Sequence, residues 1–348
     1  MKLTVSGENV IEKAALALGI PPVTLMHTHM SFMRARAIMV GVKLGIFETL
    51  TAAPLTAAVV AERCHLSPVG TAKLLNALTG SDYLTFDAGR YALTPMARKW
   101  VTSESPQSIR DKVLFEFVEW QLCESFEDYV RTGEPLDMHD FASGDQWALY
   151  QRAMRALSGL ASSEIVARTP VPAHARTMLD IGGSHGFISV AMCRKYPALK
   201  ATVLDLPAAV EAAAPLLARE HMGDRVVHWI GNALQDDLGT NAWDFIYVSQ
   251  LLHHFDERTN RDLMVRIARA LRPAGLLVVL EMLRPATPQR AGQVGALLDL
   301  YFAVTSQSGT WSADEMQGWM KDAGLVVQPP QMLRTVPGAA EVIGTKTP

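Results

Sequence analysis

The densest chemical signal in the chain is Leu179-Asp180-Ile181-Gly182-Gly183-Ser184-His185-Gly186. An apolar run ends at Ile181 and a helix-length segment follows Gly186, so the glycines fall on a strand-to-helix turn. There the backbone can approach a ligand without Cβ interference. A nucleotide-like guest is expected. A dinucleotide fingerprint would need its first glycine where Ile181 stands, and Asp180 would repel a pyrophosphate. S-adenosylmethionine carries a sulfonium and an ammonium but no phosphate, and it suits an acidic loop better. Asp205 ends the next apolar run, 19 positions beyond Gly186. A carboxylate there can take both ribose hydroxyls of an adenosine, although it could instead cap the helix that follows. Asn232, the pair His253-His254, and Glu281 then stand at the ends of the third, fourth and fifth apolar runs.

These positions require a particular scaffold. After Pro170 short apolar runs at Thr177–Ile181, Ala201–Leu204, Val226–Ile230, Phe245–Val248 and Leu276–Leu280 alternate with amphipathic helical segments. Repeated βα units predict an α/β Rossmann-like domain, a mostly parallel sheet with helices on both faces. Its carboxyl edge is where open sheets bind ligands, and every candidate above falls there. A last helix opens with the capping box Ser312-x-x-Glu315 and closes at Gly324, and Val326 to Thr347 offers two more strands around Pro337-Gly338.

The front of the chain reads differently. Leu25 to Leu50 is helical, apolar and methionine-rich; a helix follows across Thr56 to Cys64, and Ser67-Pro68 caps another that runs to Gly80. Tyr83 to Thr94 alternates through Asp87-Ala88-Gly89-Arg90, a tight hairpin signal. Helix-turn-helix plus hairpin is a winged helix, which raises a DNA-binding regulator as an alternative of another class. Lys73 is the only cation in the would-be recognition helix, and the net charge is -3, so packing or dimerisation is preferred to nucleic acid. From Ile109 to Ala167 an aromatic stripe follows, Phe141, Trp147 and Tyr150 among it. At 348 residues two domains are expected, residues 1–104 and 105–348, with 105–170 as a helical, substrate-lining linker. Cys64, Cys123 and Cys193 lie far apart without metal or disulfide spacing, and are expected as buried thiols. Lys2, Glu8, Glu12 and Lys13 interrupt any leader-like apolar run, and no segment reaches membrane-span length, so a cytoplasmic location without membrane partners is expected.

The order LDIGGSHG, TVLDLP, GNAL, LLHHFDE and LLVVLEM resembles the plant-type small-molecule O-methyltransferases, the family of caffeate and hydroxyindole O-methyltransferases with their bacterial relatives. GIFETL, GRYALTP and YVRTGEP…QRAM extend the likeness to the front half. The resemblance implies methyl transfer from S-adenosylmethionine to a hydroxyl of a hydrophobic, aromatic small molecule by a homodimer. It implies cofactor contacts for Gly182, Gly183, Gly186, Asp205, Leu206, Asn232, Ala233 and Ser249, with Met154 and Ser158 near the methionine end. Asn232 replaces the family's usual aspartate facing adenine, and Ser249 a common lysine. His253 matches the general base: a phenol with pKa near ~10 must lose its proton to attack well at neutral pH. Glu281 matches the acid that orients it, and Trp147, Tyr150, His254, Phe302 and Trp311 are expected around the acceptor. One departure stands out. Gly309-Thr310-Trp311-Ser312 puts Thr310 where the family has a second glutamate, leaving carbon methylation or a non-methylating use of the cofactor as alternatives.

Overall fold

The computed structural model describes residues 2–136 and 144–348; Phe141 of the aromatic stripe lies outside them. Two compact units result, Lys2–Phe117 and Val118–Pro348. In the first, the Thr56 and Ser67 hydroxyls cap the helices Ala57–Arg63 and Pro68–Thr79, and Leu75 and Leu78 join Ile46, Phe47, Leu50 and Val60 in its core. Strands β1 (Leu84–Asp87) and β2 (Arg90–Leu93) form the wing. Ala88 and Gly89 are both left-handed, φ +47° and +80°, as a two-residue primed turn demands. The upstream stretch is less regular than its sequence suggests: a π-helical turn, Met26–Met30, precedes the helix Ser31–Lys43. The Ser31 hydroxyl donates to the Met26 carbonyl five residues back, and Gly45 at φ +73° then breaks the run before Ile46–Thr49.

The second unit carries an eight-stranded sheet. Strands β3 (Thr177–Ile181), β4 (Lys200–Asp205), β5 (Val226–Ile230), β6 (Trp243–Ser249) and β7 (Leu271–Met282) are parallel, in the order β5-β4-β3-β6-β7. Beyond them β10 (Ala339–Lys346) runs antiparallel between β7 and β8 (Leu325–Val327), and β9 (Gln331–Met332) pairs with β10. The C-terminal stretch therefore gives three strands where two are expected. Successive side chains alternate between two buried layers, Met178, Val203, Tyr247 and Val278 on one face and Leu179, Leu204, Val248 and Val279 on the other. That two-sided burial explains the near-continuous apolar strands. Chain order reverses beside β3, which has β4 on one flank and β6 on the other, and such a switch point opens a crevice over the carboxyl ends. The cysteines correct one expectation: Cys193 is buried, Cys64 half-buried and Cys123 exposed, because only the first faces a sheet-covering layer. Among the described residues no helix is long and apolar enough to cross a membrane.

Candidate active site

The glycine loop joins β3 to the helix Phe187–Lys195. Gly182 and Gly186 are left-handed, both at φ +68°, and a Cβ on Gly182 would come within 3.0 Å of Leu251. Gly183 is small for a different reason. Its Cβ would lie 2.4 Å from the Asp180 carboxyl carbon, so this acid fills the space under the loop. Asp180 is 2% exposed and accepts from the Ser189 hydroxyl at 2.6 Å. Burial, reinforced by the charge of Asp205, outweighs that bond and pushes its carboxyl up to about 7. The acid that the sequence offers to a cationic ligand thus braces the loop from beneath. Gly186 meets Val203 and Leu217, which is helix-to-sheet packing.

Asp205 ends β4 with its carboxylate held by two backbone amides, Ser184 N–H to Oδ2 and Leu206 N–H to Oδ1, each 2.8 Å. Ser184 is itself fixed, its hydroxyl by Gln151 and its carbonyl by His228 Nε2 at 2.9 Å. A cavity of about 540 Å³ opens beside these groups. Gly182, Asp205, Leu206, Asn232, Ala233 and His254 of the expected residues line it. Asn232 is partly committed: its side-chain oxygen accepts from Leu234 N–H at 2.9 Å, so its amide N–H₂ is the end left for a ligand. Met154, Ser158, Gly183, Gly186 and Ser249 are outside this lining. Ser158 instead meets His185 Nε2 at 3.4 Å. Burial, and then Arg155, hold His185 down to about 3, so the ring is neutral. Its Nδ1 accepts from Phe187 N–H, which puts the proton on Nε2.

His253 sits in the short 3₁₀ turn Leu252–His254 after β6, and Glu281 stands near the end of β7, the adjacent strand. Gln250 at φ +52° swings the chain so that Leu251 and Leu252 both direct their N–H groups at Glu281 Oε1, 2.7 Å each. The other oxygen, Oε2, meets His253 Nδ1 at 3.0 Å. His253 is 4% exposed and Glu281 1%. With Nδ1 facing a carboxylate, the neutral imidazole carries its proton there and leaves Nε2 as an acceptor. Phe302 lies 4.6 Å from the His253 ring and His254 4.2 Å, so this imidazole is walled by aromatic surface.

On the helix Gly144–Arg168, Trp147 packs edge-on to Tyr150 at 5.6 Å. Burial, with the charges of Asp205 and Glu119, pushes the Tyr150 phenol up to about 12, so it remains a donor. Trp311 departs from expectation. It is 8% exposed, belongs to the core layer under the His253 turn, and donates its indole N–H to the Leu252 carbonyl at 3.0 Å. It braces that turn and is not among the residues lining the 540 Å³ cavity. Sequence reading also missed Leu251, Phe255 and Ser306 on the cavity wall, and Asn260, whose amide donates to the Leu252 and Phe255 carbonyls at 3.0 and 3.1 Å. For Asn260 a signal existed: it occupies the apolar stripe shared by Leu263, Met264 and Ile267, where a polar residue needs a reason.

Residues 131–326 match the model of an O-methyltransferase domain, and residues 26–103 that of an O-methyltransferase dimerisation domain. A 3-hydroxy-5-methyl-1-naphthoate 3-O-methyltransferase of Streptomyces sahachiroi is 25% identical over 84% of this chain and 86% of its own length. An N,N-dimethyltransferase of Streptomyces rimosus is 23% identical over 93% and 96%. The solved structure of human N-acetylserotonin methyltransferase in complex with SAM shares the fold with a TM-score of 0.81, at 20% identity, covering 99% of this chain and all of that one.

Proposed function

The chain belongs to the O-methyltransferase family, and from that premise we propose that it transfers a methyl group from S-adenosylmethionine to a hydroxyl of a hydrophobic, aromatic small molecule, with His253 as general base. The observation carrying this reading is the buried His253–Glu281 pair, one strand over from a cavity of nucleoside dimensions. The cavity residues suit the cofactor. Asp205, its carboxylate fixed in place by two amides, would accept from the ribose hydroxyls, Gly182 would let the backbone approach, and the Asn232 amide would donate to an adenine ring nitrogen. The cofactor, when bound, supplies an electrophilic methyl on a sulfonium. His253 Nε2 takes the acceptor's proton, and Glu281 holds the ring in the tautomer that can do so while offsetting the positive charge that develops. Tyr150, Trp147 and Phe302 supply the apolar wall on the acceptor side.

A panel of phenols incubated with methyl-labelled cofactor tests the reading. Label in an aryl ether supports it, and cofactor binding without any labelled product overturns it. An amine acceptor is the second reading, favoured by the likeness to an N,N-dimethyltransferase, and product analysis distinguishes a methylamine from an ether. Residues 1–104 would serve dimerisation and 105–348 catalysis in a cytosolic homodimer, a reading that three cysteines outside any disulfide and the exposed apolar residues of the first unit support.

A further inference from the structure

The turn that carries His253 is anchored from a second direction. Trp311 Nε1 donates to the carbonyl of Leu252, the residue before His253, at 3.0 Å. The preceding residue, Thr310, is 3% exposed and donates its hydroxyl to Asp299 Oδ1 on the helix Pro288–Thr305. Asp299 and Phe302 are three residues apart, hence on one helix face, and Phe302 is the ring lying 4.6 Å from His253. The loop itself has little freedom. Arg284 donates its backbone N–H to the Trp311 carbonyl at 2.9 Å and its guanidinium to the Thr310 carbonyl at 3.3 Å, and Trp319 packs edge-on against Trp311 at 4.9 Å. A closed circuit therefore runs from the helix through Asp299, Thr310, Trp311 and Leu252 to His253, and back to the helix at Phe302.

We propose that Asp299, Thr310 and Trp311 form a strut that positions the imidazole of His253 under Phe302, so that a hydroxyl at 310, set against a helix carboxylate, does the work of holding the base. Thr310 stands where the resemblance drawn from the sequence leads to the expectation of a second glutamate. The strut acts through hydrogen bonds and needs an acceptor at 299, not a charge. Asp299→Asn keeps an oxygen for the Thr310 hydroxyl and preserves the circuit; Asp299→Leu, Thr310→Val and Trp311→Phe each open it while leaving comparable bulk.

The role rests on the reading of His253 as base, so two measurements are paired on the full-length protein. The His253 Nδ1 proton, identified by its loss in His253→Ala, is followed by NMR without any acceptor present. Its exchange with water should accelerate about tenfold or more in the three opened variants, and stay within about threefold of wild type in Asp299→Asn. Turnover on a phenol from the labelled-cofactor panel should fall by about 10–100-fold in the same three, with acceptor KM and cofactor Kd within about twofold. Because the residues act as one circuit, Asp299→Leu combined with Trp311→Phe should be no slower than the slower single variant. Unchanged exchange in Thr310→Val, an Asp299→Asn variant as impaired as Asp299→Leu, or multiplying effects in the double variant would each overturn the strut. Failure of the base reading looks different: His253→Ala would then retain turnover whatever the exchange rates show.

Discussion

His253 has one nitrogen closed and one open, and that asymmetry is the chemical content of the site. Glu281 occupies Nδ1, so on the proposed reading Nε2 is the nitrogen that would take a proton from an acceptor. His253→Ala should lower turnover by about 10²–10⁴ with cofactor affinity nearly unchanged. His254→Ala should do much less, and Glu281→Gln should fall between; steady-state rates alongside cofactor calorimetry decide the order. Asp205→Ala should weaken cofactor binding about tenfold or more, on the order of 1.5–3 kcal/mol, since it removes a charged acceptor from two hydroxyls. Calorimetry on a folded variant with unaltered affinity would show that the ribose binds elsewhere. Asp180 gives a pH signature. Its folded-state value of about 7 lies above the ~3.9 of an unfolded aspartate, so the folded chain holds the extra proton between those values. Stability from this group is full below about pH 4 and declines as pH rises, the loss being complete above about pH 7. Asp180→Asn removes the ionisation. The variant should therefore gain on wild type, on the order of 2–4 kcal/mol, between about pH 4 and pH 8 in denaturant melts.

At the scale of elements, the turn between β6 and the helix Glu257–Ala270 does most to place His253. Its three anchors come from three directions: Glu281 from β7, Trp311 from the loop before the helix Ala313–Asp322, and Asn260 from within the helix that the turn leads into. Asn260 is fully buried, and its amide donates both to the Phe255 carbonyl and to the Leu252 carbonyl, which also accepts from Trp311. Asn260→Leu should cost roughly 1–3 kcal/mol of stability and lower turnover more than cofactor affinity, read by thermal melts beside kinetics. A variant as stable and active as wild type would mean that the turn holds itself. The His253-His254 turn was legible as a loop at a strand end, but two of its anchors come from far along the chain. Glu281 lies 28 residues from His253 and Trp311 59 from Leu252, separations that local spacing cannot read, whereas Asn260, 8 residues from Leu252, is marked by its place in an apolar stripe.

For the whole molecule, the first unit leaves Val10, Ile11, Leu18, Ile20, Phe32 and Met33 between 47% and 81% exposed, more apolar helix than one copy covers. A homodimer is expected by light scattering at micromolar concentration, and Phe32→Asp with Met33→Asp should shift it toward monomer; wild-type monomer throughout would contradict the assignment. The sequence by itself determined the βα order, the glycine loop, the carboxylate at Asp205, the hairpin at Ala88-Gly89 and the capping box at Ser312. Each of these is a local matter of period, turn chemistry or strand-end position, written within a few residues. Only the tertiary structure decided that β10 inserts antiparallel beside β7, that Asp180 lies beneath its loop, and that Trp311 turns its indole to Leu252. Those outcomes depend on which distant groups share a buried space, where an unpaired donor or charge is costly and the fold must supply the partner.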